Sequence, residues 1–350
     1  MRILVLGGTH HVGRAVVEAG LARGDDVTTL TSGRSGPPAA GASARYADRT
    51  DRVALAAALG GGEWDAVIDT WSLAPRVVRD SSRLLAGRAG HYTYVSSRSV
   101  YEWPIPVGAD ESAPVVAGDP GGEDVSDYAA VKRGGELAAL EGFEGPVLLA
   151  RPGLVLGPYE RVGRLPFWLN RIKQSGRVPC PGPPGQPLQY IDARDLADWV
   201  LDAAGRSVTG AFNTVSRRGH TTMGELLEQC RTVTGSDAEL VWVSPEAVDA
   251  AGVAPWTELP IWLPPTGEYA GLHDGDVSAA YAAGLTCRPV AETVSATWAW
   301  LQAEGLPAPA HPERAAIGMD PAAEARLFRQ AGGAASESLP LILGSAHGES

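Results

Sequence analysis

The sequence predicts an α/β protein with a doubly wound parallel sheet and a smaller, interleaved C-terminal domain. Short apolar runs of strand type alternate with segments of helical periodicity from residue 2 to about residue 150, and such alternation is typical of a parallel sheet with both faces covered. After about residue 157 the alternation becomes irregular, and proline and glycine become dense. The 350 residues suffice for one large domain or two modest ones.

Each element is assigned from its pattern of apolar residues. An apolar run over residues 2–6 ends in glycine, apolar residues then recur at helical spacing from Val12 to Leu21, and a β-branched run follows over residues 27–30. The other predicted strands are 44–47, 66–69, 91–95, 147–150, 212–215 and 240–243, and the other predicted helices are 52–59, 75–86, 128–141, 192–204, 223–234 and 289–303.

The change in rhythm also predicts the domain boundaries. We expect residues 1–157 to form the parallel-sheet domain, with segments near 188–215 returning to it. Residues 158–331 are expected to form mainly the second domain, and the small-residue composition of 332–350 predicts a disordered tail.

Two stretches of the second domain are unusual in composition. Residues 176–187 are dense in proline and glycine, which predicts a loop or a lid. Residues 253–267 contain several proline and tryptophan residues and predict an irregular, aromatic-rich wall. We expect Trp256 and Trp262 in this wall to pack the small domain.

Composition excludes some classes of protein. The chain has 29 Lys and Arg against 41 Asp and Glu, a net charge of −12, which argues against nonspecific nucleic-acid binding. No run approaches the roughly 18 apolar residues of a membrane span, and the short run MRILVLGG lacks the length of a signal peptide. We therefore expect a cytoplasmic protein. The three cysteines are far apart without metal-ligand spacing, so we expect reduced structural thiols and no metal site.

The turn after the first strand reads GGTHHVG, beginning at Gly7. A phosphate site at a helix N-terminus requires glycine where the backbone approaches the phosphates and where helix meets strand. Gly7 and Gly13 stand at the first and last positions of a G-x-x-G-x-x-G spacing, and His10 replaces the middle glycine. That replacement is tolerable if the φ angle of His10 is negative. We predict a Rossmann-type dinucleotide site that includes Gly7, Thr9, His10, His11, Val12 and Gly13.

The end of the second strand indicates which dinucleotide fits. An NAD site usually places Asp or Glu there for the ribose 2′-hydroxyl, whereas this strand is followed by Ser32 and Arg34. A hydroxyl and a guanidinium suit a 2′-phosphate, so NADP is favoured and NAD is the alternative. Asp48 is expected to accept a hydrogen bond from the adenine amino group, and Arg49 and Thr70 are further predicted cofactor contacts.

Three residues form a candidate catalytic set. The fifth strand is followed by Ser97, and about thirty residues later Tyr128 and Lys132 open a helix four positions apart, on one helical face. A lysine ammonium beside a phenol lowers the pKa of tyrosine from its reference value of about 10. Tyr128 is thereby suited to proton transfer near neutral pH, and Ser97 is suited to orient a substrate oxygen.

This combination of motifs resembles the extended and atypical short-chain dehydrogenase/reductases, the NAD-dependent epimerase/dehydratase family, and actinobacterial reductases within it. The resemblance covers roughly residues 1–300 and includes GGTxxxG, SSxSVY and YxxxK. It also includes RPGLVLGP over 151–158 and QYIDARDLA over 189–197.

The resemblance implies roles for individual residues. Ser97, Tyr128 and Lys132 would be the catalytic triad, with Lys132 also holding the ribose of the cofactor. The backbone near strand six would hold the nicotinamide amide, through Pro152, Gly153 and Val155.

Two departures from the family pattern argue against particular activities of the family. The family's dehydratases carry an Asp-Glu pair after the triad hydroxyl, but this chain has Arg98 and Ser99, so we do not expect dehydration. Its nucleotide-sugar epimerases usually carry an asparagine where this chain has Leu154, which disfavours a nucleoside diphosphate sugar as substrate.

The candidate substrate-binding residues are largely aromatic. Together they suggest a cyclic or flat, partly apolar substrate rather than a diphosphate. They are Trp71, Ser72, Arg98, Tyr101, Trp103, Phe167, Tyr190 and His273.

The function expected from these features is an NADP-dependent oxidoreductase that reduces a carbonyl or imine of a small substrate. One alternative is an epimerase with tightly bound NAD(P), which would show no net cofactor turnover. A second alternative is a non-catalytic dinucleotide-sensing or RNA-binding protein, which the Ser97–Tyr128–Lys132 set and the acidic charge disfavour. The expected assembly is a monomer or a homodimer.

Overall fold

A seven-stranded parallel sheet forms the centre of the computed structural model, which describes residues 1–34, 36–305 and 317–336. The strand order is β3-β2-β1-β4-β5-β6-β11, which confirms the predicted α/β class with a Rossmann-type, doubly wound sheet. The strands are β1 (Arg2–Leu6), β2 (Asp26–Thr31), β3 (Ser43–Tyr46), β4 (Ala66–Asp69), β5 (Tyr92–Val95), β6 (Val147–Pro152) and β11 (Gly210–Thr214).

Helices follow most of these strands. Several begin at a residue whose side chain caps the first turn, among them Asp51, Asp127, Asp192 and Thr222. The helices are α1 (His11–Ala22), α2 (Arg52–Leu59), α3 (Pro75–Leu85), α4 (Tyr128–Gly142), α5 (Arg164–Lys173), α6 (Ala193–Gly205), α7 (Met223–Thr234), α8 (Pro245–Ala250), α9 (Ser278–Ala282), α10 (Val290–Glu304) and α11 (Pro321–Ser336).

Both faces of the sheet are covered by apolar side chains. On one face α1 packs against α6, over a buried cluster that includes Ile3, Val5 and Ile68. On the other face α3 packs against α4, over a cluster that includes Leu4, Leu6 and Val67. Alternate residues of β1 therefore serve opposite faces, which explains why its sequence is continuously apolar.

The chain returns to the sheet after an excursion. β6 is followed by β7 (Leu154–Leu156), which pairs with β10 (Tyr190–Asp192) rather than with the central sheet. α6 then leads into β11, which pairs with β6 in parallel, with Phe212 opposite Ala150.

A separate apolar cluster, which we call the second lobe, is formed by segments between β7 and α11 other than α6, α9 and β11, which pack with the central sheet. It is built mainly from α5, α7, α10 and the segments between them, and Trp168 and Trp262 are among its fully buried side chains. Trp262 donates to Gln186 Oε1 at 2.8 Å. Of the stretch 253–267 that was predicted to be irregular, residues 253–266 contain neither helix nor strand, and Gly267 begins a 3-10 turn. Trp256 also packs against the cluster.

The prediction that residues 176–187 form a loop or lid is wrong in part. They contain β8 (Arg177–Pro181), which pairs in parallel with β13 (Glu239–Val243), and the first residue of β9 (Pro187–Leu188), which pairs with β12 (Thr221–Thr222). Val178 and Cys180 are fully buried in the second lobe. Proline is tolerated in β8 because that strand has a partner on one side only, so a missing N–H need not break a ladder.

The start of the predicted disordered tail is helical instead. The predicted tail begins at residue 332, but α11 continues to Ser336. The rest of that prediction, residues 337–350, lies outside the described residues.

No helix of the described ranges is long and apolar enough to cross a membrane. No group of three or more His, Cys, Asp or Glu side chains in those ranges is placed to hold a metal ion. The cysteines are free thiols: Cys180 and Cys230 are buried and Cys287 is half-buried.

Candidate active site

The turn between β1 and α1 leaves no room for a Cβ at Gly7 or Gly13. A Cβ on Gly7, whose φ is 124°, would collide with Thr70 Oγ1, and one on Gly13 would lie 2.7 Å from the backbone nitrogen of Gly8. His10 precedes the helix with φ −131°, as its replacement of a glycine requires, and its side chain does not cap the helix. The first-turn amides of α1 are therefore left for another acceptor, and this cradle fits the pyrophosphate of a dinucleotide.

The neighbouring predicted contacts flank this turn. Thr9 is half-buried, and Val12 packs against the α1–α6 side of the sheet. Thr70 donates its hydroxyl to Leu6 O at 3.1 Å, which holds the end of β4 beside the turn. Burial lowers the pKa of His11 to about 4, so its imidazole is neutral at pH 7 and brings no charge to a phosphate.

The end of β2 carries an exposed ion pair. Arg34 Nη2 lies 2.6 Å from Asp48 Oδ2, and the Ser32 hydroxyl accepts from the Arg34 amide at 3.4 Å. The other carboxylate oxygen of Asp48 accepts from both the amide and the hydroxyl of Thr50. Those bonds to Thr50, followed by that to Arg34, lower the pKa of Asp48. Both carboxylate oxygens of Asp48, which we expect to accept a hydrogen bond from adenine, therefore already accept hydrogen bonds from Arg34 or Thr50.

Arg49, a predicted cofactor contact, takes part in a buried ion pair. Its guanidinium is buried and makes two bonds of 2.7 Å to the carboxylate of Asp69, with a third of 2.7 Å to Ser81 Oγ. Tyr92 donates to the same carboxylate at 2.6 Å. Sequence reasoning missed Asp69, although an acid that ends the apolar run AVID is a signal of a buried partner.

Lys132 lies between the carboxyl ends of β4 and β5. Its ammonium donates to the carbonyls of Trp71 at 2.9 Å and Val95 at 2.8 Å, and lies 5.0 Å from the centre of the Tyr94 ring. Burial lowers the pKa of Lys132 to about 8, while Asp69 and Glu136 oppose that shift. With two of three N–H groups used, the ammonium retains one donor for a ligand or a phenol.

Tyr128 is the first residue of α4 because Asp127 caps that helix, accepting from the amides of Ala129 and Ala130 at 2.9 and 3.2 Å. Its side chain is 48% exposed, one helical turn from Lys132. Burial chiefly raises the pKa of Tyr94, and the charges of Asp69 and then of Tyr128 add to that shift. Tyr128 thus lies near enough to affect Tyr94, whose ring contacts the Lys132 ammonium.

Ser97 begins the 3-10 turn Arg98–Val100, which packs against α4. The Ser97 hydroxyl accepts from the Ser99 amide at 3.1 Å and donates to the Ser99 hydroxyl at 3.0 Å. The side chains of Ser97, Tyr128 and Lys132 therefore come from adjoining elements at one end of the sheet. Trp71 and Ser72, after β4, are half-buried at the same end.

Behind this end lies a buried polar network that sequence reasoning missed. The carboxylate of Glu136 accepts from Ser96 Oγ at 2.7 Å and from the Arg151 guanidinium at 2.8 and 2.9 Å. Tyr101 donates to Asn213 Oδ1 at 2.7 Å. Tyr101, a predicted substrate contact, is 2% exposed, and its hydroxyl joins β11 to the 3-10 turn.

Tyr190 and His273, two other predicted substrate residues, are also buried, and Phe167 is half-buried. Tyr190 lies in β10 within the second-lobe cluster, and Phe167 on α5 packs against the same cluster. His273 accepts from the Gln189 amide at 3.1 Å, and burial lowers its pKa to about 4.

Trp103 remains at the surface. It is 47% exposed, donates to Glu268 Oε2 at 2.9 Å and contacts the ring of Tyr269. The backbone of Pro152, Gly153 and Val155, predicted to meet the nicotinamide, runs from β6 into β7. Leu154 is buried in the second-lobe cluster.

Comparison with known proteins identifies the family of the chain. The model of the family described as NAD dependent epimerase/dehydratase matches residues 3–214, more than half of the chain. The chain belongs to the NAD-dependent epimerase/dehydratase family. A comparison with curated protein sequences gives no match.

Solved structures of similar fold include enzymes that bind dinucleotides. WbmG of Bordetella bronchiseptica, in complex with NAD and UDP, is 17% identical, with a TM-score of 0.62 over 88% of this chain and 96% of that one. The UDP-glucuronic acid 4-epimerase of Bacillus cereus, in complex with NAD, is 14% identical, with a TM-score of 0.61 over 87% and 99%. The UDP-glucose 4-epimerase of Thermotoga maritima, with UDP-glucose, is 17% identical, with a TM-score of 0.60 over 87% and 99%. This likeness concerns the fold.

Proposed function

We propose that this member of the epimerase/dehydratase family is an NAD(P)-dependent oxidoreductase that reduces a carbonyl or imine carbon of a small substrate. The observation that carries the proposal is the placement of Lys132. Its ammonium is buried, fixed to the carbonyls of Trp71 and Val95, and one helical turn from the exposed Tyr128. A buried cation with a spare donor beside a phenol is suited to acid–base chemistry.

Tyr128, Lys132 and Ser97 have separate roles in the proposed reaction. When bound, the dinucleotide supplies the hydride. Tyr128 gives the proton to the substrate oxygen or nitrogen, since it stands at the exposed start of α4. Lys132 carries its charge at neutral pH and stabilises the phenolate that remains. The Ser97 hydroxyl donates to the substrate atom on which negative charge develops, at the cost of its bond to Ser99.

We also propose NADP as the preferred dinucleotide. Arg34 is 74% exposed and its partner Asp48 is 46% exposed, so their ion pair contributes little free energy. A 2′-phosphate carries more charge than a carboxylate and could take the guanidinium from Asp48. Ser32 adjoins Arg34 and could donate its hydroxyl to the same phosphate.

An epimerase with tightly bound NAD(P) is the second candidate. It is supported by neighbours whose structures contain NAD, one of them together with UDP, and by a neighbour whose structure contains UDP-glucose. Against a nucleotide-sugar substrate stands the buried Leu154, which has no donor for a diphosphate.

The deciding experiment combines three measurements on the purified protein. Dinucleotide released on denaturation is identified, NADPH and NADH are titrated, and NADPH oxidation is followed with a panel of cyclic ketones, aldehydes and imines. Stoichiometric oxidation of NADPH by at least one substrate is expected. Retained dinucleotide with interconversion of UDP-sugars and no net oxidation would favour the epimerase. Dinucleotide binding with neither reaction would favour a sensing protein.

A further inference from the structure

Arg98 immediately follows Ser97, and its guanidinium is buried. The side chain donates from Nη1 to Leu272 O at 2.8 Å and to Gln189 Oε1 at 3.5 Å, and from Nη2 to Gly271 O at 3.4 Å. Arg98 is 4% exposed. The residue next to the candidate catalytic hydroxyl is thus attached to a segment more than 170 positions further along the chain.

That segment, residues 271–276, is fixed on its other side as well. Gln189 accepts from the Gly275 amide at 2.8 Å and donates to the Gly275 carbonyl at 2.9 Å. The amide of Gly108 donates to Asp274 O at 2.6 Å. The guanidinium is therefore enclosed by backbone whose own position is set by hydrogen bonds.

Gly275 packs directly against the guanidinium. A Cβ at this position would lie 2.6 Å from Arg98 Cζ and would collide with Nη2. Gly275 has no positive φ, so its backbone would accept alanine without strain. Glycine is required here for close approach to Arg98 and not for the turn itself.

Burial of the charged Arg98 guanidinium without a carboxylate partner lowers the stability of the fold. Within the described ranges it forms no ion pair with a carboxylate, and its Nε has no hydrogen-bond partner. Glu111 accepts from the Asn213 amide, and Asp274 pairs with Arg218 at 3.1 Å. Burial lowers the pKa of Arg98. A buried cation held by neutral oxygens destabilises the fold, so stability does not account for it.

We propose that Arg98 is a positioning residue, which fixes the turn that carries Ser97 by attaching it to residues 271–275. The inference rests on the proposed function, because the position of Ser97 matters only if its hydroxyl acts on a substrate. Small displacements of an oriented group are costly: a shift of about 1 Å can reduce a rate about 100-fold.

The test uses a variant that displaces the guanidinium without removing it. Gly275→Ala, Arg98→Met and the double variant are compared with wild type, and Arg218→Met is the control, since it removes an exposed arginine that binds the same segment. Thermal unfolding confirms that each variant is folded, and Arg98→Lys replaces Arg98→Met if that variant fails to fold. Measured quantities are kcat, KM, dinucleotide affinity and hydrogen exchange of residues 97–101.

We expect Gly275→Ala to reduce kcat about 10-fold or more, with dinucleotide affinity within about threefold of wild type. Adding Gly275→Ala to Arg98→Met should change kcat by less than about twofold, because the guanidinium it displaces is gone. Exchange at residues 97–101 should rise in both single variants and not in Arg218→Met. Unchanged kcat, or losses that multiply in the double variant, would overturn the proposal.

The oxidoreductase assignment and the positioning role of Arg98 can be tested independently. If wild type turns over no substrate, the oxidoreductase assignment fails and hydrogen exchange alone decides the role of Arg98. Faster exchange at residues 97–101 in Gly275→Ala then supports the attachment, and unchanged exchange overturns it.

Discussion

The guanidinium of Arg34 lies 2.6 Å from the carboxylate of Asp48, just beyond the carboxyl end of β2. The acid that we expect near the adenosine is thus held by the arginine that we propose meets a 2′-phosphate. Under that proposal, the 2′-phosphate of NADP and the carboxylate of Asp48 compete for one guanidinium.

Arg34→Ala should weaken NADP binding about 10- to 100-fold, since a charge-assisted contact contributes about 1.5–3 kcal/mol. NAD affinity should stay within about threefold. Asp48→Asn is the matched variant, because it leaves Arg34 in place without its competitor and should tighten NADP. Calorimetric titration of both dinucleotides measures this, and wild type that binds NAD as tightly as NADP would refute the preference.

Tyr128→Phe should reduce turnover about 10²- to 10⁴-fold, the usual contribution of general acid catalysis, because only the proton donor is lost. Dinucleotide affinity should change by no more than a few fold. Tyr281→Phe, on α9, removes a hydroxyl far from Lys132 along the chain and serves as control. Steady-state assays at saturating NADPH check this, and a variant with more than about a tenth of the wild-type rate would contradict the assigned role.

The pH dependence of turnover should reflect Lys132. Its pKa is lowered from 10.5 to about 8, so the ammonium loses its charge as the pH rises through 8, and kcat should decline there. Lys132→Arg carries a charge that does not titrate in this range, so the decline should move to higher pH even if the rate is lower. A decline at the same pH in Lys132→Arg would assign it to another group.

Glu160 should make the fold less stable as pH rises. Burial raises its pKa from 4.5 to about 7, although Arg164 and the amides of Arg164 and Leu165 act in the opposite direction. The folded chain therefore binds a proton that the unfolded chain releases between pH 4.5 and 7, so its contribution to stability is present below 4.5 and lost as pH rises through 7. Glu160→Gln should reduce the fall in Tm between pH 5 and pH 8, whereas exposed Glu63→Gln should leave it unchanged. Equal falls in both variants would exclude Glu160 as the cause.

Arg49→Met should destabilise the protein by about 3–5 kcal/mol, because it leaves the buried carboxylate of Asp69 without its cation. Arg2→Met breaks the exposed pair with Asp65 and should cost at most about 1 kcal/mol. Denaturant unfolding compares the two free energies. If Arg49→Met instead lowers dinucleotide affinity with little loss of stability, the predicted cofactor contact of Arg49 would be supported.

The central sheet was predictable because its signals are local. The residues of Ala66–Asp69 are all buried, so the strand reads as an unbroken apolar run that ends in a polar residue. β8 was missed for the opposite reason: Pro179 and Pro181 are typical of a loop, and only pairing with β13, some sixty residues later, makes them part of a strand.

The same distinction applies to the site. The spacing of Tyr128 and Lys132 and that of Gly7 and Gly13 could be read within one turn or one helix. The partners of Tyr101 and Arg98 could not, because Asn213 and Gly275 lie far along the chain. Aromatic composition alone also did not distinguish the buried Tyr190 from the exposed Trp103.

The return of β11 to the sheet affects how the protein can be synthesised. β6 ends at Pro152, but its neighbour β11 does not begin until Gly210. On a translating ribosome, the outer edge of β6 therefore presents unpaired backbone groups while residues 153–209 are being made, and such edges are prone to wrong pairing. The nascent chain must protect that edge until Thr214 has emerged.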